Sequence, residues 1–185
     1  MKITAILTAA VLCLGLTTIL PTAANAKSAA EIDHEARVAL RQLAAQDVAA
    51  ENLAHQAYAV LVFPSILKGG FVITAHRGDG ALLRGGRTLG YYNTTAASYG
   101  LEAGVKKFGY AMFFMDKKSL AHLFREGGWE LGTTPGIVVV DKGTSVSLST
   151  TSVRKGIYTF FFNEKGLMGG LGLEGSKITK YTPSR

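Results

Sequence analysis

Two periodicities divide this chain. Between about Ala29 and Tyr58 the sequence is rich in Ala, Glu, Gln and Leu and contains neither Gly nor Pro. At 100° per residue, Ile32, Ala36, Ala39, Leu40, Leu43, Ala50, Ala54, Ala57 and Tyr58 share one face, interrupted by Asp47. That spacing predicts a long helix, and Ser28 followed three positions later by Glu31 is a capping-box start. The stripe is mostly alanine and the helix is net acidic. Packing against a sheet is therefore its expected use, because an anionic bilayer would repel its polar face.

From Ala59 onward the period becomes that of strands. Runs of β-branched and aromatic residues are expected to form strands over Ala59–Phe63, Gly70–Ala75, Ala81–Arg84, Lys106–Met115, Gly136–Val140, Ser145–Val153, Ile157–Asn163 and Leu167–Ile178, punctuated by Gly, Asn and Asp. His76-Arg77-Gly78-Asp79-Gly80 has the composition of a glycine-rich hairpin turn. Lys117 to Glu126 fits a short helix, capped by Asp116 and stopped by Gly127. The predicted fold class is α+β: a mostly antiparallel, strongly curved or barrel-like sheet, with a long N-terminal helix and one short internal helix. The βαβ repetition of a parallel sheet is absent.

The N-terminus changes the picture of where this domain works. Met1-Lys2, an apolar run from Ile3 to Leu20, Pro21 and then Ala24-Asn25-Ala26 have the layout of a secretory signal peptide, with cleavage after Ala26. An uncleaved anchor is the alternative, since a run of about eighteen residues touches the lower limit for crossing a bilayer. Leu12 before Cys13 argues against a lipid-modified cysteine. The expected mature chain, 27–185, is a single domain, long enough for a sizeable core, exported to the periplasm or cell envelope. It holds no cysteine, so neither disulfides nor thiolate metal sites contribute. Its charge is uneven, with a net of −2 from Lys27 to Tyr58 and +8 from Ala59 to Arg185.

Gly170-Leu171-Gly172-Leu173-Glu174-Gly175 has the spacing of a dinucleotide fingerprint. That reading needs a helix and a βαβ unit of about thirty residues, and the chain ends too soon. Leu167, Leu171 and Leu173 alternating with Gly170 and Gly172 instead describe a strand whose one face is nearly bare, against which something can lie closely.

The segment Gly166 to Tyr181, GLMGGLGLEGSKITKY, resembles the C-terminal signature of the SYLF domain family, found in eukaryotic lipid- and actin-associated proteins and in bacterial exported proteins. Ala59-Val60-Leu61-Val62-Phe63-Pro64 with Lys68-Gly69-Gly70-Phe71, then Gly78-Asp79-Gly80-Ala81-Leu82, Tyr99-Gly100-Leu101-Glu102-Ala103-Gly104 and Trp129-Glu130-Leu131-Gly132 resemble further family blocks in the same order. The resemblance covers about residues 50 to 181. It implies phospholipid binding without catalysis, and it supplies no residue-level active site.

The residues themselves agree with a non-enzymatic reading. His34, His55, His76 and His122 have no metal-ligand spacing, so neither a metal nor a cofactor is expected. Ser119 and His122 lie one helical turn apart without the elbow that presents a nucleophilic serine. Basic residues are the better candidates: Arg77, Arg84, Arg87, Lys106 and Lys107 are expected at turns and strand ends as contacts to an anionic phospholipid or membrane surface, with Lys117-Lys118 and Arg154-Lys155 as further pairs. If four cations converge, each contributes about 1 kcal/mol near an anionic membrane. The aromatic runs Phe108–Met115 and Tyr158–Phe162 fill a core or line an acyl groove. Nucleic acid is not an expected partner, because no basic stripe interleaves these aromatics. An envelope scaffold that binds a protein partner is the rival function.

Overall fold

The computed structural model describes residues 26–131, 136–140, 155–166 and 175–184, and at 100–103 the backbone alone. Among the described residues, helices α1 (Ala29–Gln46) and α2 (Val48–Gln56) precede six strands of one sheet: β1 (Ala59–Arg84), β2 (Arg87–Phe114), β3 (Trp129–Glu130), β4 (Ile137–Val140), β5 (Ile157–Gly166) and β6 (Lys177–Tyr181). Between β2 and β3, α3 (Lys117–Leu120) runs into a 3-10 turn at Ala121–Phe124. The fold is α+β with a curled, mostly antiparallel sheet, as the sequence pattern predicts. Among the six described strands the β4–β5 pair alone is parallel, and an isolated parallel bridge joins Ser28 to Ser184. The strand and glycine signature expected over Ser145–Val153 and Leu167–Leu173, and the leader before Ala26, lie outside the described residues.

The sheet is built on a hairpin longer than the sequence punctuation suggests. β1 and β2 pair from Ala59–Phe114 to Arg84–Arg87, and Gly85 and Gly86, at φ of +53° and +76°, make the connecting turn. His76 to Gly80, expected to be a turn, instead runs inside β1, paired to Tyr92–Ala96. Strong twist and three register irregularities, at Phe63/Ile66, Phe71/Ile73 and Leu82/Leu83, let so long a ribbon bend. The sharpest bend lies at Gly70–Ile73, where Gly70 has φ of +154° and an added Cβ would lie 2.1 Å from the Ile73 carbonyl oxygen. Beyond it the second half of β1 crosses over the first. Gly78 and Gly80 allow this, since a Cβ at Gly80 would lie 2.5 Å from the Val62 oxygen and one at Gly78 2.9 Å from the Ser65 oxygen. The two ends of β1 consequently meet, with the Arg84 guanidinium 3.7 Å above the ring of Tyr58. The ribbon is folded in half, with its corner at one end of the molecule and its turn and termini at the other.

On the outer face Val60, Val62, Ala81, Leu83, Ala111, Phe113, Phe160 and Phe162 pack against Ile32, Ala36, Ala39, Leu43, Ala50 and Leu53 of the helices. The inner, concave face encloses Leu61, Phe63, Ile66, Leu82, Tyr110, Met112 and Phe114, closed by Leu120, Leu123 and Trp129. Alternation along each strand supplies both layers from one sequence. The predicted helix is broken at Asp47, whose extended backbone (φ −140°) ends α1 while its carboxylate accepts the Ala49 and Ala50 N–H groups and starts α2. Both helices bury their stripes, and none of the described helices is long and apolar enough to cross a membrane.

Candidate functional site

The corner of the folded ribbon carries the least expected surface in the molecule. Cross-strand partners share a face, and on the outer face near the corner Leu67 pairs with Lys107, Gly69 with Val105 and Phe71 with Ala103; beyond the bend Ile73 pairs with Tyr99. Phe71 is 78% and Tyr99 84% exposed, while Leu67, Ile73 and Val105 are each more than half exposed. The helices end short of this region, docked at the opposite end. There Arg37 donates to the Gly86 carbonyl oxygen at 2.9 Å and to Thr88 at 3.0 Å, and ion-pairs with Asp33. Val72, in the bend itself, has φ of +65°, a conformation that costs a β-branched residue on the order of 1–3 kcal/mol.

The five predicted cations do not converge. Arg84 and Arg87 flank the Gly85–Gly86 turn, exposed, at the helix end. At ~3.3 Å per residue the run from Ile73 to Arg84 separates them from the corner by up to roughly 35 Å. Arg77 is exposed on the outer face, in a rung with Thr95 and Lys177 that ends opposite Glu130. Lys106 points inward: it is 7% exposed and pairs with Glu164 at 3.3 Å. Lys107 is exposed at the corner, and β5 places Lys165 directly opposite it. Sequence reasoning passed over Lys165, because nothing in its neighbourhood announces that a distant strand sets it beside Lys107. Lys117 and Lys118 are exposed on α3, and Lys155 is exposed before β5, while Arg154 lies outside the described residues.

Lys107 and Lys165 form the unusual pair. Like charges directly opposite on neighbouring strands destabilise a sheet. Among the described residues no acid is hydrogen-bonded or ion-paired to either. In the next rung Lys106, opposite Gly166, instead ion-pairs with Glu164. Among the described side chains, the outer face at the corner is thus apolar and cationic.

Beneath it the inner face turns polar. Thr74 Oγ1 and Ser98 Oγ lie 2.6 Å apart, and His76 Nε2 lies 3.4 Å from Ser176 Oγ with its ring edge-on to Phe108. Burial and the neighbouring Lys68 hold the His76 imidazole below its ordinary pKa, so it is neutral near neutral pH. Deeper in, Tyr110 donates to Thr94 at 2.9 Å, and burial pushes its phenol far above the ordinary range.

The remaining candidates are structural. The aromatic runs fill both core layers: Phe108, Tyr110, Met112, Phe113, Phe114, Phe160 and Phe162 are all buried. Ser119 is buried in a capping box with Asp116, and His122 stacks on Trp129. Arg77-Gly78-Asp79 is extended strand, with Asp79 accepting from Asn93. Asn93 also pairs with Thr179 of β6, and its neighbour Thr94 is buried. Among the described residues no three His, Cys, Asp or Glu side chains group as metal ligands.

Comparison with known proteins adds a family. Residues 95–183 match the family model described as Ysc84, Las17-binding protein actin regulator. The match begins inside β2, before the corner, and runs through β6, so it includes Lys107, Lys165 and the glycine-rich sequence between β5 and β6. No curated protein matches the chain.

Proposed function

The chain carries a domain of the Ysc84/SYLF family across residues 95–183, and from that premise we propose that it is an exported, non-enzymatic protein that associates peripherally with an envelope membrane by binding anionic phospholipid. The observation that carries this reading is the Lys107–Lys165 pair, two exposed lysines in one cross-strand rung without an acidic partner among the described residues, beside exposed apolar side chains. Two unpaired cations on neighbouring strands can approach one phosphate, and each contributes about 1 kcal/mol at an anionic surface. The secretory layout of the first 26 residues supports export. The family is described as a Las17-binding protein and actin regulator, and binding rather than catalysis is the common ground.

The test uses protein recovered from the envelope fraction, its N-terminus read by sequencing and expected at Lys27. It should sediment with vesicles containing phosphatidylglycerol, less with phosphatidylcholine alone, and less as added salt shortens the Debye length. Lys107→Glu with Lys165→Glu should weaken sedimentation by about tenfold or more, whereas Arg84→Glu with Arg87→Glu, at the far end, should leave it close to wild type. Sedimentation indifferent to lipid charge, salt and the lysine pair sinks the reading and favours an envelope protein as the partner.

A further inference from the structure

We propose that the corner of the folded β1–β2 ribbon is a membrane-inserting wedge: Phe71, Ile73, Tyr99 and Val105 enter the bilayer while the Lys107–Lys165 rung stays at the level of the lipid phosphates. This rests on the phospholipid reading and adds which end of the molecule inserts, and how far.

Three observations carry it. Five of the large exposed apolar residues, Leu67, Phe71, Ile73, Tyr99 and Val105, sit within a few rungs of one bend. Soluble surfaces rarely gather such residues into one patch without a binding purpose. The spacing also matches a leaflet. Phe71 lies four residues beyond Leu67, whose rung holds Lys107, so at ~3.3 Å per residue it reaches roughly 13 Å past the lysines. The polar interface of a bilayer is only about 5–8 Å thick on each side, so lysines at the phosphates put Phe71 and its neighbours among the acyl chains. Tyr99, with an apolar ring and a polar tip, suits the boundary between the two. Finally, the chemistry selects a bilayer over a second copy of the chain. A two-fold contact through this corner would bring two copies of the same cationic patch into one interface, whereas anionic head groups neutralise it.

The ribbon is suited to insertion because its strands pair up to Phe71–Ala103 and again from Ile73–Tyr99, leaving few backbone groups to be desolvated.

The chain contains one tryptophan, Trp129, which is buried beneath α3 and gives a constant background. Tyr99→Trp therefore places a reporter at the corner, and Leu89→Trp, on an exposed residue beside the opposite turn, is its control. With vesicles of phosphatidylglycerol whose acyl chains are brominated, Tyr99→Trp emission should shift to the blue and be quenched, and Leu89→Trp should stay unquenched. Phe71→Ser with Ile73→Ser should lower vesicle binding at least tenfold and leave the thermal midpoint unchanged. Vesicle sedimentation with no quenching at Tyr99→Trp would overturn the wedge while leaving phospholipid binding standing, as would quenching at Leu89→Trp instead. Absence of sedimentation with any lipid would remove both. A wild-type dimer that the Phe71→Ser, Ile73→Ser pair makes monomeric, with vesicle binding intact, would reassign the corner to self-association.

Discussion

At the scale of single residues, glycines decide where this chain can touch itself. Gly80 lies on the inner face of β1 at the crossing of the ribbon's halves. A side chain there would meet the Val62 carbonyl oxygen at 2.5 Å and the Phe63 ring at 2.6 Å. A ring can rotate away, whereas a carbonyl engaged in a ladder cannot. Gly80→Val should therefore destabilise the protein by about 3 kcal/mol, at the upper end of the usual cost of overpacking, read as a shift in the urea midpoint. Gly85 is the contrast. It needs φ of +53° but has nothing within 4 Å of an added Cβ, and Asn adopts that conformation readily. Gly85→Asn should lie within about 0.5 kcal/mol of wild type.

At the scale of elements, Asp47 shows how one residue shapes two helices. Its backbone N–H donates to the Leu43 carbonyl at the end of α1, and its carboxylate accepts two N–H groups at the start of α2. The break lets each helix present its own short apolar stripe to the curved outer face: Ile32, Ala36, Ala39 and Leu43 from α1, Ala49, Ala50 and Leu53 from α2. A straight rod could not follow the curl of the sheet beneath it. Asp47→Ala should cost about 1 kcal/mol through the lost cap, measured by urea denaturation. Circular dichroism should show helix loss confined to a fraction of the α2 signal. Vesicle binding should be unaffected, because the helices lie away from the corner.

At the scale of the whole molecule, burial under the corner ties stability to pH. His76 is held neutral in the folded protein by desolvation first and Lys68 second, while in the unfolded chain it titrates near its ordinary value of 6.5. The unfolded state thus binds the extra proton below that value. Stability is level above about pH 6.5 and falls as pH drops through it. His122, held low by burial and by Arg125 and Lys118, acts in the same direction. Thermal midpoints recorded between about pH 7.5 and 5 should decline on the acid side. His76→Gln, which keeps a polar group for Ser176, should flatten part of that decline. An unchanged slope would show that other groups govern the acid limit.

Much of this was legible in the chain. Period and capping placed the helical segment, the alternation of Ala59–Phe63 and Lys106–Met115 announced strands with two buried faces, and the ordered glycine blocks pointed to the SYLF family that the match over residues 95–183 bears out. These are local properties, set by propensity and spacing within a few residues of the chain. The rest depended on distance. Gly78-Asp79-Gly80 has the composition of a turn, and only the crossing of β1 over itself shows that its glycines serve close packing within a strand. Lys106 and Lys107 are neighbours in sequence with the same charge, yet the pleat sends one inward to Glu164 and the other outward to face Lys165. Arg84 and Arg87 belong with the other cations by composition and lie at the opposite end by geometry. Side-chain direction, cross-strand partners and the meeting of distant segments are fixed by register and curvature, and these emerge only when the whole sheet is assembled.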